Sequence, residues 1–159
     1  MPRIAQMITT TALLTIAVAI KANACDATLC VTLPDGSTQG FSNEEIREMP
    51  TTEFETSTIW TEGVTHFTGV ELHTLLEDLG VESGMLKAVA ANDYAVQIPV
   101  DDAMVGGPII AYDLNGAPMS LRDKGPLWIV YPYDSDHHYQ SEVIYSRSIW
   151  QLTRIEVQP

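Results

Sequence analysis

The chain of 159 residues is 45% hydrophobic and 18% charged, with 8 Lys and Arg against 21 Asp and Glu. This length suits one domain, and the hydrophobic share is too high for a disordered chain. The formal net charge of −13 disfavours nucleic acid and anionic membrane surfaces as partners, because binding to phosphate draws its affinity from Lys and Arg.

The first 24 residues have the pattern of a secretory signal peptide. Arg3 provides a positive charge, an apolar stretch runs from Met7 to Ile20, and Ala22-Asn23-Ala24 has the form of a cleavage site. The stretch is too short and too rich in Thr for a membrane span, which needs about 20 mostly apolar residues; an uncleaved anchor is the alternative. Cleavage after Ala24 predicts a single domain over residues 25–159, located in the periplasm or secreted.

Both cysteines of the chain, Cys25 and Cys30, directly follow the predicted cleavage site. An exported chain meets an oxidising compartment, so we expect a disulfide between them. It would close a short loop and contribute about 2 kcal/mol on the chain-entropy estimate, which is too little to decide the fold. Lipidation of Cys25 is the alternative, although Ala22 stands where bacterial lipoprotein signals favour a Leu-like residue.

A β-hairpin and a short helix are predicted at the start of this domain. The strand from Val31 to Leu33 is followed by a Pro-Asp-Gly turn and a return strand through Phe41. Ser42 and Glu45 have the spacing of a capping box, which marks the beginning of a helix. Pro50 then ends that helix at about the preceding residue.

A strand and an amphipathic helix are predicted next. Thr51 to Trp60 is rich in Thr and aromatic residues, which favours an extended strand, and Gly63 and Gly69 interrupt the pattern after it. Apolar residues at helical spacing then predict a helix that ends at Gly80, with its apolar face formed by Val70, Leu72, Leu75, Leu76 and Leu79.

The second half of the chain is predicted to be rich in strands. Strands and one partly helical segment are expected at Lys87–Ala91, Tyr94–Ile98, Ile109–Leu114, Leu127–Tyr131, Glu142–Trp150 (partly helical) and Leu152–Val157. Strands outnumber helices and do not alternate strictly with them. The predicted fold class is therefore α+β, with mixed β-sheets and a few short helices.

Several spaced runs resemble one family of domains. Phe67 to Leu76, Asn92 to Pro99 and Gly125 to Pro132 are similar, in this order, to the sulfite-oxidase-type molybdopterin-binding domain. Tyr131 to Asp134 and Ser146 to Leu152 resemble the small, exported, single-domain branch of that superfamily. The resemblance covers nearly all of the domain and implies a sulfite-oxidase-like fold with a pterin site.

The chain departs from this family at the metal ligand. Catalytic members bind molybdenum through a cysteine thiolate about four residues before a tryptophan, and that register places Thr56 at the ligand position, with Trp60 as the tryptophan. A threonine hydroxyl does not supply a soft thiolate ligand, and Cys25 and Cys30 lie too near the N-terminus to replace it. We therefore expect a pterin cofactor without molybdenum and no metal site.

A pterin is a flat heterocycle, and its site should combine aromatic walls with polar groups for its hydrogen-bonding edge. Around Thr56, the candidate walls are Trp60, Tyr94, Tyr131 and Tyr133. The candidate polar contacts are Asn92 and Asp93 for the donor edge, and Arg122 and Arg147 for the carbonyl or a side-chain hydroxyl. Structural roles are the alternatives: core packing for the aromatic residues, a turn for Asp93 and an ion pair for Arg147. Trp128 is expected in the core.

The small exported branch resembles periplasmic proteins that bind a reduced pterin and report it to a membrane-bound enzyme of cyclic-di-GMP turnover. This resemblance implies a binding protein that needs no catalysis. One alternative is an oxidoreductase that uses molybdopterin with a non-cysteine ligand or a partner subunit, and another is a structural module with an empty pocket. Carboxylates and imidazoles in Asp134 to His138 suggest a metal site, but adjacent histidines on a loop point apart, which favours a solvated loop.

Overall fold

The computed structural model describes residues 25–159, so the predicted signal peptide lies outside the described residues. Three helices occur in this range: α1 (Asn43–Glu48), α2 (Leu72–Asp78) and α3 (Glu142–Arg147). Its strands are β1 (Leu29–Thr32), β2 (Thr38–Phe41), β3 (Thr51–Ser57), β4 (Val64–Glu71), β5 (Met85–Ala90), β6 (Ala95–Pro99), β7 (Ile109–Leu114), β8 (Ala117–Pro118), β9 (Trp128–Val130) and β10 (Leu152–Gln158). Within residues 25–159, no helix has the length and apolar character needed to span a membrane.

The strands form two sheets. The first sheet has the order β2-β1-β10-β5-β6, and the second has the order β3-β4-β7-β8, with β9 also pairing with β7. The first sheet is mixed, because β1 runs parallel to β10 while the other neighbouring strands are antiparallel. This arrangement of one mixed and one antiparallel sheet with few helices confirms the predicted α+β class.

The start of the domain folds as its local sequence predicts. β1 and β2 pair as a hairpin, and α1 begins with the expected capping box. The Ser42 hydroxyl accepts a hydrogen bond from the Glu45 backbone N–H, and the Glu45 carboxylate accepts one from the Ser42 N–H. Cys25 and Cys30 are bridged in the structure, and the Cys25 sulfur lies against Gly40 of β2.

The strand β4 was not predicted, and the structure corrects two boundaries beside it. Val70 belongs to β4 and not to the helix, which begins at Leu72, and β3 ends at Ser57, so Trp60 lies in the turn that follows. Gly69 was interpreted as an interruption, but it lies inside β4 at a register shift opposite β7. A Cβ atom there would collide with the Ile110 carbonyl, so the glycine permits close strand packing.

The core is one hydrophobic cluster built from both sheets and from buried residues of all three helices. β7 and β9 are at its centre, and Trp128 is fully buried, as expected. Burying these apolar strands fixes the position of the segments that leave the sheets. The end of β5, the start of β10 and the turn after β3 come together beside α3, where they enclose a cavity.

Candidate functional site at the ends of β5 and β10

The cavity beside α3 has a volume of about 500 Å³. This volume lies within the range of sites for small organic ligands. Its walls come from the turn after β3, the β5–β6 turn, α3 and the segment that leads into β10. The lining residues are Ile59, Trp60, Ala90, Asn92, Tyr94, Glu142, Tyr145, Ser146, Ser148, Ile149, Trp150 and Gln151.

The cavity has an aromatic wall that is fixed by packing. The Trp60 ring meets Trp150 edge-on with centroids 5.7 Å apart, and it meets Trp128 and Tyr145 in the same way at 6.0 Å. Edge-to-face contacts at these distances are favourable. Tyr94 is 58% exposed and forms part of the rim. A flat heterocycle therefore finds preformed aromatic surfaces in this cavity.

The cavity lining contains few polar side chains in addition to this aromatic wall. The Asn92 side-chain oxygen accepts a hydrogen bond from the Tyr94 N–H, which leaves the Asn92 amide nitrogen for a ligand. The Gln151 side-chain nitrogen donates to the Leu121 carbonyl. Glu142 is the one charged residue among the described residues that line the cavity.

Trp60, Asn92 and Tyr94 are the sequence-predicted site residues that line the cavity. Asp93 does not, because the tight turn gives it a φ of 64° and its carboxylate pairs with Arg154 at 2.9 Å on the surface. Arg122 is exposed on the loop before β9 and is also outside the lining. Asp93 therefore has the turn role that was given as the alternative to ligand binding.

Arg147 and Tyr131 meet at a carboxylate behind the cavity. Arg147 Nη1 donates to both oxygens of Asp102 at 2.9 and 2.7 Å, and the Tyr131 hydroxyl donates to the same carboxylate at 2.8 Å. Burial, and then the negative charge of Asp102, raise the pKa of the Tyr131 hydroxyl, so it stays protonated as a donor. Arg147 therefore makes an ion pair, which was the alternative to ligand binding. This ion pair holds the last residue of α3 in place.

Tyr133 contacts residues that line the cavity but is not itself a lining residue. Its ring is buried and its hydroxyl is hydrogen-bonded to Ser148, a lining residue that directly follows α3. Burial raises the pKa of Tyr133 to about 12. Tyr131 and Tyr133 lie just after β9 and not within it, and their ring centroids are 6.4 Å apart. Both tyrosines lie behind the cavity wall.

Thr56 is buried at the end of β3 and is engaged in a structural contact. Its hydroxyl accepts a hydrogen bond from the Asp134 N–H at 3.0 Å. The Asp134 carboxylate in turn accepts bonds from the Ser57 hydroxyl and N–H at 2.5 and 2.6 Å. These bonds hold the pKa of Asp134 below its ordinary value, with the Ser57 hydroxyl as the largest cause. The three residues thus join β3 to the segment after β9.

Several lining residues were missed by the sequence-based reasoning. Glu142, Tyr145 and Ser146 come from α3, and Ser141 as its N-cap was a signal that could have placed this helix accurately. Trp150 packs against the core and also lines the cavity. Their convergence depends on α3 packing across the sheet, which local sequence does not specify.

The comparisons with known proteins identify the family. The model of the oxidoreductase molybdopterin-binding domain matches residues 28–157. The chain therefore belongs to this family, as the spaced runs of its sequence predicted. A search of curated proteins gives no match.

A solved structure has a similar fold. The sulfane dehydrogenase SoxCD from Paracoccus pantotrophus matches with a TM-score of 0.63 and 18% sequence identity. The match covers 83% of this chain, which spans 38% of that chain's length. This likeness confirms the sulfite-oxidase-like fold.

The residues present do not fit a molybdenum ion held by a thiolate. Among residues 25–159 the only cysteines are Cys25 and Cys30, which are bridged to each other beside β2, and neither lines the cavity. The Thr56 hydroxyl is already bonded to the Asp134 backbone. The aromatic wall and the free polar groups, in contrast, suit the organic part of a pterin cofactor.

Proposed function

We propose that this protein is an exported binding protein for a metal-free pterin. The observation that carries the proposal is the preformed cavity, whose walls are the aromatic side chains of Trp60, Tyr94 and Trp150 and whose lining residues in the described chain contain no thiolate. Aromatic surfaces with a small number of polar groups suit a planar heterocycle. Membership of a molybdopterin-binding family supports a pterin as that heterocycle.

We further propose that the pterin-bound protein signals to a membrane-bound enzyme of cyclic-di-GMP turnover through the periplasmic region of that enzyme. The signal-peptide pattern in residues 1–24 supports export, and the resemblance to the small exported branch supports the signalling role. The net charge of −13 favours a partner with a basic contact surface. Such an interaction should weaken when salt is added.

The decisive experiment is a titration with a reduced pterin. The protein is exported in a bacterial host, purified from the periplasm and titrated anaerobically with tetrahydrobiopterin, while tryptophan fluorescence and heat are recorded. We expect saturable binding with a change in fluorescence, because Trp60 and Trp150 line the cavity. Metal analysis of the same sample should find no stoichiometric molybdenum.

Two neighbouring variants locate the binding site. Tyr94→Ser removes an aromatic surface from the rim and should weaken binding severalfold. Asp93→Asn, in the same turn but outside the cavity, tolerates the φ of 64° at this position and should leave binding unchanged. Absence of binding to the unmodified protein would contradict the proposal, and stoichiometric molybdenum would favour the oxidoreductase alternative.

A further inference from the structure

Glu142 differs from the other acidic residues near the cavity. It lines the cavity and is exposed at its mouth, and its carboxylate makes no hydrogen bond or ion pair with any residue in 25–159. Three carboxylates from segments beside the cavity are engaged by other side chains: Asp93 by Arg154, Asp102 by Arg147, and Asp134 by Ser57. Among the described residues that line the cavity, Glu142 is thus the one that offers a carboxylate to a ligand.

The backbone position of Glu142 is fixed by both ends of α3. The Ser141 hydroxyl caps the helix by accepting a hydrogen bond from the Ile144 N–H, and Ile144 is buried in the core. At the other end, Arg147 is bound to Asp102. The backbone that carries Glu142 therefore needs little reorganisation when a ligand binds, and only its side chain must become ordered.

A pterin presents a matching edge. Its exocyclic amino group and the adjacent ring N–H are two parallel donors, and a carboxylate offers two parallel acceptors. We propose that Glu142 is the specificity-determining residue of the cavity, accepting both bonds from this edge while the aromatic wall covers the ring. This inference rests on the proposed function and adds that the protein recognises the amino group and ring N–H of the pterin.

The same geometry disfavours pteridines that lack the amino group. In a lumazine, a carbonyl replaces the amino group, so a second acceptor faces the Glu142 carboxylate. Two acceptors cannot share a hydrogen bond, and the carbonyl would lose its bond to water without replacement. The cavity should therefore select amino-oxo pteridines over dioxo pteridines of the same shape.

The test uses two compounds of the same shape that differ at this group and at the neighbouring ring nitrogen N1, which carries a proton in the lumazine. Tetrahydropterin and tetrahydrolumazine are titrated anaerobically into the exported, purified protein by calorimetry. We expect tetrahydropterin to bind at least about tenfold more tightly, since hydrogen bonds to a charged group carry about that much free energy. Glu142→Gln should weaken tetrahydropterin binding by about tenfold. It should leave tetrahydrolumazine binding unchanged or strengthen it, because the amide can donate to the carbonyl.

Glu82→Gln is the matched control. It removes the same charge from another exposed residue, which precedes β5 at the end of that strand remote from the cavity. Thermal unfolding of both variants checks that they fold. Equal affinity of the unmodified protein for the two compounds, or a Glu142→Gln protein that keeps its preference, overturns this inference and leaves the proposed function standing. Failure of both compounds to bind contradicts the proposed function itself.

Discussion

Asp102 holds together the segments that pack beside the cavity. It accepts hydrogen bonds from Arg147 and Tyr131, which come from α3 and from the segment after β9. Both segments are distant in sequence from the turn that carries Asp102. The Asp102 carboxylate therefore joins three parts of the chain, and its ion pair with Arg147 is a charge-assisted bond, which is stronger than a neutral one.

Removing this carboxylate should destabilise the protein. Asp102→Ala leaves the half-buried Arg147 without its partner and should lower the free energy of unfolding by about 2–3 kcal/mol. Asp101→Ala is the matched control, because its side chain is the exposed neighbour, and it should cost less than about 0.5 kcal/mol. Urea denaturation measures both values, and similar losses in the two variants would contradict this role.

Asp134 should make stability depend on acid pH. Its bonds to Ser57 hold its folded-state pKa below the unfolded value of about 3.9. The stabilisation is therefore fully present above about pH 4 and is lost as pH falls through the lowered folded-state pKa. Asp134→Asn should be less stable than the unmodified protein at neutral pH, and the difference should shrink on acidification below about pH 4.

Denaturation at several pH values checks this dependence, with Asp101→Asn as the control that should show no such convergence. A constant difference between Asp134→Asn and the unmodified protein from neutral to acid pH would contradict it.

At the scale of single residues, the sequence identified residue types better than roles. Trp60, Asn92 and Tyr94 were predicted for a pterin site from their residue types and from the family resemblance, and they line the cavity. Arg147 and the two tyrosines after β9 were selected for their chemistry. Their partners are distant in sequence, so no local pattern could show that Asp102 and Ser148 engage them.

At the scale of elements, local signals predicted most of the fold. The capping box, the β1–β2 hairpin and the strands β5, β6 and β7 follow from turn residues and alternation. β4 was missed because a glycine within a strand has the same local appearance as a break. Gly69 differs from a chain break in its close approach to β7. This approach is a tertiary contact, which local sequence does not show.

Gly69→Ala should test the packing of β4 on β7. A methyl group at this position collides with the Ile110 carbonyl, so the two strands must separate, and we expect a loss of about 3 kcal/mol in unfolding free energy. Gly36→Ala serves as the control: its φ of 84° costs about 1–2 kcal/mol, but nothing lies within 4 Å of the added atom.

Urea denaturation compares the two glycine variants. A loss for Gly69→Ala no greater than that for Gly36→Ala would show that β4 and β7 accommodate the methyl group.

At the scale of the whole molecule, the excess of acidic residues opposes compaction. The formal net charge of the 159-residue chain is −13, and like charges repel more strongly in the folded state. The fold tolerates this repulsion because its core joins both sheets into one hydrophobic cluster.

Salt should therefore raise the thermal midpoint. Increasing sodium chloride from about 0.01 M to about 0.15 M shortens the screening length from about 30 Å to about 8 Å, and we expect the midpoint to rise by a few degrees. Differential scanning calorimetry measures it, and potassium chloride should act equally if screening is the cause. A midpoint that falls or does not move would contradict net repulsion as a destabilising force.

The parallel pairing of β1 with β10 has a consequence for biosynthesis. β1 begins at Leu29, and the register joins it to residues 154–156. β10 also separates β1 from β5 in the sheet, so the centre of that sheet is missing until the ribosome has reached Leu152–Gln158. A chain still being translated thus lacks the strand that joins β1 to β5, so we expect the first sheet to form only after β10 has been synthesised.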